Sequence, residues 1–320
     1  MRLHGLLSFP LTPFTDIDEH DEHHKRSSHD DHDDKVDLAV FAEHLEQQIA
    51  AGPAGLFVAC GTGEFTALSP DEYREVIATA VRVADGRLPV VAGCGGGPRM
   101  AREFAVTAAE CGADGLLLLP PYLISSTPAG LVGHIRYVAS GTELPITVYQ
   151  RANAVLDEAA ALALLDIPTV TGIKDGRGDV DAMLRLVTAI RSSGHPRAAE
   201  FGFLNGLPTA ELSVQAYAAI GVECYSSAVL CFAPTSPPPS TSRCAPATPR
   251  RCGCCSPSST CPSSPCATPP PATRSPWSRR VPGWPGWPWD PSGRRSWTPP
   301  PSTSGSWPAS SPGAGPRSPG

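Results

Sequence analysis

Lysine is almost missing from this chain: 320 residues hold only Lys25, Lys35 and Lys174. No apolar run approaches the roughly 20 residues that a membrane-spanning helix requires, which excludes such a helix. Met1–Phe14 carries Pro10 and Pro13 and meets acid at once. It therefore lacks the basic, long-apolar, small-residue order of a secretory signal. Cys60, Cys94, Cys111, Cys224 and Cys231 show no paired spacing. That suits reduced thiols, the tail cysteines Cys252, Cys254, Cys255, Cys261 and Cys266 fit no zinc module, and a soluble cytoplasmic protein is expected. From Thr235 onward there is no Leu, Ile, Phe, Tyr, Met, Lys, Glu, Gln, Asn or His. No hydrophobic core can be built from what remains.

The charge divides at the same place. Residues 1–234 carry 16 basic and 30 acidic side chains, a net charge of −14, whereas residues 235–320 carry nine Arg against Asp290 alone. That second part also holds 23 of the 37 prolines and all six tryptophans. Two domains of unlike kind are expected, a globular 1–234 and a low-complexity 235–320.

Within 1–234, short apolar runs fenced by Gly or Pro alternate with longer amphipathic stretches. The runs Gly5–Phe9, Gly55–Cys60, Pro89–Cys94, Gly115–Leu119, Ile146–Tyr149, Thr169–Lys174, Phe201–Asn205 and Cys224–Val229 are predicted strands buried on both faces. Helices are predicted over Leu38–Ala51, Pro70–Ala84, Met100–Cys111, Ala129–Ala139, Asp157–Leu165, Val180–Ile190 and Thr209–Ile220. Ser69-Pro70-Asp71-Glu72 supplies an N-cap, a first-turn proline and early acids. This is the order of an α/β (β/α)₈ TIM barrel that lacks its last helix. A doubly wound sheet would want a phosphate loop after the first strand, and Phe9-Pro10-Leu11-Thr12-Pro13-Phe14 is not one.

Residues 16–34 interrupt the rhythm with nine acids and the histidines His20, His23, His24, His29 and His32. Imidazole and carboxylate can bind metals, but nothing apolar here would hold them in place. A solvated insert is expected, and no metal or other cofactor is assigned.

Reactive groups of such a barrel collect at the carboxyl ends of its strands. Lys174 alone among the lysines follows an apolar run. Burial lowers an amine's pKa and makes it a nucleophile toward a carbonyl; a lysine there can equally be a solvated cap. Tyr149 ends the neighbouring strand, where its phenol could move a proton or merely satisfy a backbone carbonyl. Gly61-Thr62-Gly63 offers bare N–H groups and a hydroxyl to a carboxylate. Arg151, Asn205 and Ser226 are candidates for a second anion, and Pro120-Pro121-Tyr122 joins the same mouth.

The stretches LSFPLTPF (7–14), LFVACGTGEF (56–65), GADGLLLLPPYL (112–123), VYQR (148–151), GIKDG (172–176), FLNGLPTAE (203–211) and YSSAV (225–229) resemble the dihydrodipicolinate synthase and N-acetylneuraminate lyase superfamily. Within it they resemble the branch that dehydrates 5-dehydro-4-deoxyglucarate. The resemblance implies a Schiff base on Lys174, proton transfer by Tyr149, and a keto-acid carboxylate at Thr62 and its glycines. It also implies a small-molecule keto-diacid as the partner, a family-type homo-oligomer, and neither nucleic acid nor membrane as partner. Gly61 and Leu123 stand where the synthases have a threonine and a second tyrosine, so the synthase proton relay is not expected. A pyruvate aldolase of the same superfamily, or a non-catalytic remnant with a Pro-rich tail, stay open as alternatives.

The tail has its own expectation. Tryptophan has a single codon, so another reading frame is partly recoverable. Read one base earlier with GC-rich codons, Ser275–Arg280 can become Val-Ser-Leu-Val-Lys-Ala, and Ser259–Ser264 can become Phe-Tyr-Leu-Pro-Leu-Val. A one-base slip near Pro234 is expected, and a tail translated as it stands should be disordered.

Overall fold

The computed structural model describes residues 3–15, 35–121 and 124–234. The acidic, histidine-bearing insert, Tyr122, Leu123 and the low-complexity tail lie outside the described residues.

Eight strands pair side by side, all parallel, and the last closes on the first. They are β1 (Gly5–Ser8), β2 (Leu56–Val58), β3 (Val90–Cys94), β4 (Gly115–Leu118), β5 (Ile146–Gln150), β6 (Val170–Asp175), β7 (Gly202–Asn205) and β8 (Cys224–Ser227). The closing register runs from Gly5 opposite Cys224 to Ser8 opposite Ser227. Helices α1 (Leu38–Ala50), α2 (Pro70–Ala84), α3 (Pro98–Glu110), α4 (Pro128–Ala139), α5 (Glu158–Leu164), α6 (Val180–Ser192) and α7 (Ala210–Ala219) follow the first seven strands. Among the described residues no α-helix follows β8; a 3₁₀ turn over Val229–Cys231 stands there instead.

Local chemistry sets the helix starts. Ser69 and Glu72 form a reciprocal capping box around the Pro70 start of α2. Asp37, Asp157 and Asp179 cap α1, α5 and α6 by accepting from first-turn amides. The eighth strand is shorter than the sequence predicts, because Val229 already belongs to the 3₁₀ turn.

Strand alternation sorts the core into two layers. One face of the strands, with Leu56, Val90, Leu116, Ile146 and Ile173, packs against the helices. The opposite face, with Leu7, Phe57, Val91, Leu117, Leu204 and Cys224, fills the barrel interior. Phe9, Cys60 and Tyr149 complete that interior cluster toward the carboxyl ends, so the candidate site rests on a packed apolar floor.

Candidate functional site

The facing of Lys174 depends on an irregularity in β6. Ile146 pairs with Val170, but the next residue, Thr147, pairs with Gly172, so Thr171 is an extra residue. Val170 and Ile173, three apart, consequently both join the layer beneath the helices. A regular strand would send Ile173 inward and Lys174 outward, since one residue of slip exchanges the faces. The bulge puts Tyr149 and Lys174 opposite each other in register, and both reach the interior.

Lys174 is only 5 % exposed. Its Nζ lies 3.8 Å from the centre of the Phe9 ring and 4.3 Å from that of Tyr149. Ring faces favour the ammonium by about 0.5–2 kcal/mol. Among the described residues no carboxylate pairs with this amine, and its burial outweighs the rings. Burial, assisted by the nearby Arg151 charge, pushes the amine down to about 7. A substantial share of it is then neutral near pH 7, which is the nucleophilic form.

Tyr149 donates from its hydroxyl to the Gly206 carbonyl at 3.2 Å and accepts from Arg151 Nη1 at 3.0 Å. Burial raises this phenol, and the Arg151 charge and hydrogen bond act in the opposite direction. Two glycines make room for the group. A Cβ on Gly206 would stand 2.5 Å from Lys174 Cγ, and nearer still to Cε. A Cβ on Gly176 would stand 2.6 Å from Tyr149 Cε2 and 2.8 Å from Arg151 Cδ.

The loop after β2 contributes backbone. Ala59 and Glu64, neither of them glycine, adopt φ of 48° and 53° on either side of Gly61-Thr62-Gly63. Such left-handed residues store strain and cluster at functional sites. Gly93 admits the turn, since a Cβ there would lie 2.8 Å from the Ala59 carbonyl carbon. Thr12 Oγ1 donates to the Gly63 carbonyl at 2.8 Å and pins the loop. Among the described residues, no acceptor engages the Gly61, Thr62 or Gly63 N–H groups or the Thr62 hydroxyl. Free amides at a strand end can hold an anion.

The remaining sequence candidates separate. Ser226 is buried and faces inward by its alternation with Cys224, with Oγ donating to the Asn205 carbonyl at 3.3 Å. The Asn205 side chain faces the other way. Leu204 takes the interior position, so the amide of Asn205 reaches Ser213 Oγ at 2.8 Å and the Ala210 carbonyl at 3.3 Å, while its Oδ1 accepts from Leu207 N. Asn205 thus shapes the turn into α7 rather than the mouth.

Several residues were not singled out by sequence reasoning. Phe9, the inner wall against Lys174, follows β1 in an apolar run that offered no sign of its partner. Cys60 is fully buried beside the lysine, and burial pushes its thiol up to about 12, so it is a neutral wall. Asp175 follows Lys174 and, by alternation, leaves the interior. Its carboxylate accepts from Gln150 Nε2 at 2.9 Å, from the Tyr217 hydroxyl, and from the Arg177 and Gly178 amides. That knot anchors the chain immediately beyond the lysine. The signal available in sequence was the pair of glycines after β6 and β7, Gly176 and Gly206.

Among the described residues, the closed parallel barrel thus gathers at its carboxyl end a buried amine, an adjoining phenol and unengaged backbone amides. The chain belongs to the dihydrodipicolinate synthetase family, whose model matches residues 27–237. It is 49 % identical over 199 residues to the "Probable 5-dehydro-4-deoxyglucarate dehydratase" of Streptomyces griseus, covering 62 % of each chain. It is 45 % identical over 230 residues to the "Probable 5-dehydro-4-deoxyglucarate dehydratase 2" of Streptomyces avermitilis, covering 72 % of this chain and 62 % of that one. The chain therefore spans less than two thirds of the length of these relatives. Among solved structures, dihydrodipicolinate synthase from Thermotoga maritima shares the fold with a TM-score of 0.62, at 23 % identity and 73 % coverage of both chains. No helix among the described residues is long and apolar enough to cross a membrane.

Proposed function

We propose that this barrel dehydrates and decarboxylates 5-dehydro-4-deoxyglucarate to 2,5-dioxopentanoate through a Schiff base on Lys174. The observation that carries the reading is the amine itself: buried between two rings, unpaired with any described carboxylate, and pushed down to about 7. The resemblance of the chain to the named dehydratases supports the choice of substrate.

In this reading the neutral amine attacks the substrate ketone, and loss of water gives an iminium that acidifies the adjacent CH₂. Tyr149, as phenolate, takes one of those protons and passes it to the hydroxyl on the next carbon, which leaves as water. The resulting conjugated iminium accepts the electron pair released when the distal carboxylate departs as CO₂. Reprotonation and hydrolysis free the five-carbon dioxo acid and restore the amine. The unengaged amides of Gly61, Thr62 and Gly63, with the Thr62 hydroxyl, hold the carboxylate next to the ketone. Ser226 faces the same interior and contacts the chain of the substrate.

Borohydride reduction in the presence of the keto-diacid tests this directly. The expected product is a tryptic peptide containing Lys174 that carries the reduced substrate, together with CO₂ release during turnover. Label on another residue, or turnover with no label, would remove the Schiff base; pyruvate in place of CO₂ would make the protein an aldolase. The rate of imine formation should rise with pH through about 7, because the neutral amine is the reacting form.

A further inference from the structure

Arg151 offers a charge to the mouth, and a bidentate grip on a substrate carboxylate is the ordinary use of such a group. Its geometry points elsewhere. Its side-chain hydrogen bond goes from Nη1 to Tyr149 Oη at 3.0 Å, and the guanidinium lies 5.5 Å from the centre of that ring. The antiparallel bridge between Arg151 and Ala154 fixes its backbone just beyond β5. The absence of a side chain at Gly176 leaves space for both the Tyr149 ring and the Arg151 stem. We propose that Arg151 is the positioning residue of this site, which holds the Tyr149 hydroxyl on the Gly206 carbonyl beside Lys174 and places one fixed cation next to both.

The physical consequence is that one charge acts on two groups in the useful direction. A cation near a phenol favours the phenolate, and near an amine it favours the neutral base. Those are the forms of Tyr149 and Lys174 that remove a proton and attack a ketone. The other groups that act on the pair are known. Around Tyr149 they are Asp175, Cys60 and Lys174; around Lys174 they are Cys60, Tyr149 and the Phe9 ring. The Asp175 carboxylate opposes the phenolate, and the Cys60 thiol is neutral, so Arg151, just beyond β5, is the group that works against burial at the phenol. Its hydrogen bond does a second job. With Nη1 donating to the phenol oxygen, the phenol's own proton is directed to the Gly206 carbonyl, which leaves a lone pair in the mouth. No second tyrosine is required to orient the hydroxyl.

This inference rests on the roles assigned above to Lys174 and Tyr149, and its test separates the two. Trace acetylation with acetic anhydride from pH 5 to 10, read by mass spectrometry, reports the reactive amine without any substrate. Lys25 and Lys35 serve as internal standards. In R151Q the Lys174 midpoint should rise by about 0.5–1 pH unit, leaving about two- to fivefold less neutral amine at pH 7. R151K, which keeps the charge, should restore most of the midpoint. Hydrogen–deuterium exchange at the methyl of pyruvate, used as a minimal keto acid, should fall about tenfold in R151Q and recover only partly in R151K, which lacks the fork. Unfolding midpoints of both variants check that the fold is intact. An unchanged acetylation midpoint and unchanged exchange, with only KM for the keto-diacid raised, would overturn the proposal and return Arg151 to carboxylate binding. A shifted midpoint in a protein that traps no keto acid at Lys174 would keep the coupling and sink the proposed function instead.

Discussion

The barrel is hydrogen-bonded all the way round, yet its two sides are covered by different physics. On the side of β3 to β6, outward residues such as Ala92, Leu116, Val148 and Ile173 merge with the faces of α3, α4, α5 and α6 into one apolar layer. At the seam of β8 and β1 the outward positions are Leu6, Ser8, Tyr225 and Ser227, and Leu6 and Tyr225 pack in a small apolar cluster with Ala210 and Val214 of α7. Beside that cluster, Ser8 and Ser227 are covered by a chain of polar bridges. Ser8 Oγ donates to Gln48 Oε1 at 2.9 Å, Gln48 Nε2 donates to the Leu230 carbonyl at 2.9 Å, and Leu230 N donates to Ser227 Oγ at 3.0 Å. Cys231 Sγ reaches the Phe9 carbonyl at 2.9 Å. Beyond the bridges, Phe232 is 75 % exposed and Leu212 on α7 is 86 % exposed. Apolar burial is spread over many atoms and degrades gradually, whereas a polar bridge fails when one partner goes. The site depends on both sides, since Lys174 comes from the first and Phe9 from the second.

The largest change should come from covering the seam. If the expected one-base slip is real, changing the frame near codon 234 should continue the chain with apolar-rich sequence in place of the Pro- and Arg-rich tail. If three side chains of that sequence bury themselves over β8 and β1, the gain is on the order of 5 kcal/mol. Denaturant unfolding of the restored and present chains measures it, and equal midpoints would mean the seam needs no further cover. Next in size is the helix-covered side. Ile173→Ala should cost about 2–5 kcal/mol through a cavity beneath the helices. Gln48→Ala should cost about 1–3 kcal/mol, because it strands both the Ser8 hydroxyl and the Leu230 carbonyl. If Gln48→Ala proved the costlier, the seam would be held more firmly than the apolar layer.

The two sides were not equally legible. The strands of the covered side are short apolar runs between glycines and prolines, and their predicted limits fall within about two residues of those observed. Even the capping box of α2 could be read in advance, because its four residues are contiguous. The seam misled: Cys224–Val229 is apolar enough to predict one strand, but the chain leaves the sheet after Ser227 to bridge Gln48. Within the site, Lys174 was visible as the one lysine after an apolar run. Its facing was not, since the bulge at Thr171 shows only in the pairing with β5. Strand-end position alone offers Asn205 as a candidate for a second anion, and alternation with Leu204 turns it to α7 instead. The roles of Phe9, Gly176 and Gly206 lie in contacts between elements distant in sequence, which no periodicity records.

A smaller prediction concerns the knot beneath the lysine. Tyr217→Phe removes one donor from the buried Asp175 carboxylate, leaving Gln150 and two amides. A stability loss of about 1–3 kcal/mol is expected. Because Lys174 is the preceding residue, the yield of borohydride trapping per folded molecule should fall as well. Trapping that stays at the parent level would show that the knot supports the fold and not the amine.

The smallest effect gives the sharpest contrast between the two sides, and it uses a hydroxyl on each. Tyr73 lies under the helices and donates to the Gly93 carbonyl at 2.8 Å. Tyr225 lies on the outward face of β8, and its buried hydroxyl has no hydrogen-bond partner among the described residues. Tyr73→Phe should therefore cost about 1 kcal/mol, the net worth of a satisfied bond. Tyr225→Phe should cost nothing or stabilise by about 1 kcal/mol, because it removes a polar atom that exchanged water for no partner. The comparison becomes stronger in the frame-restored chain. If the restored segment covers β8 and supplies an acceptor for Tyr225, the same substitution changes sign and becomes destabilising there. Equal effects of Tyr225→Phe in both chains would show that whatever covers the seam leaves this hydroxyl alone.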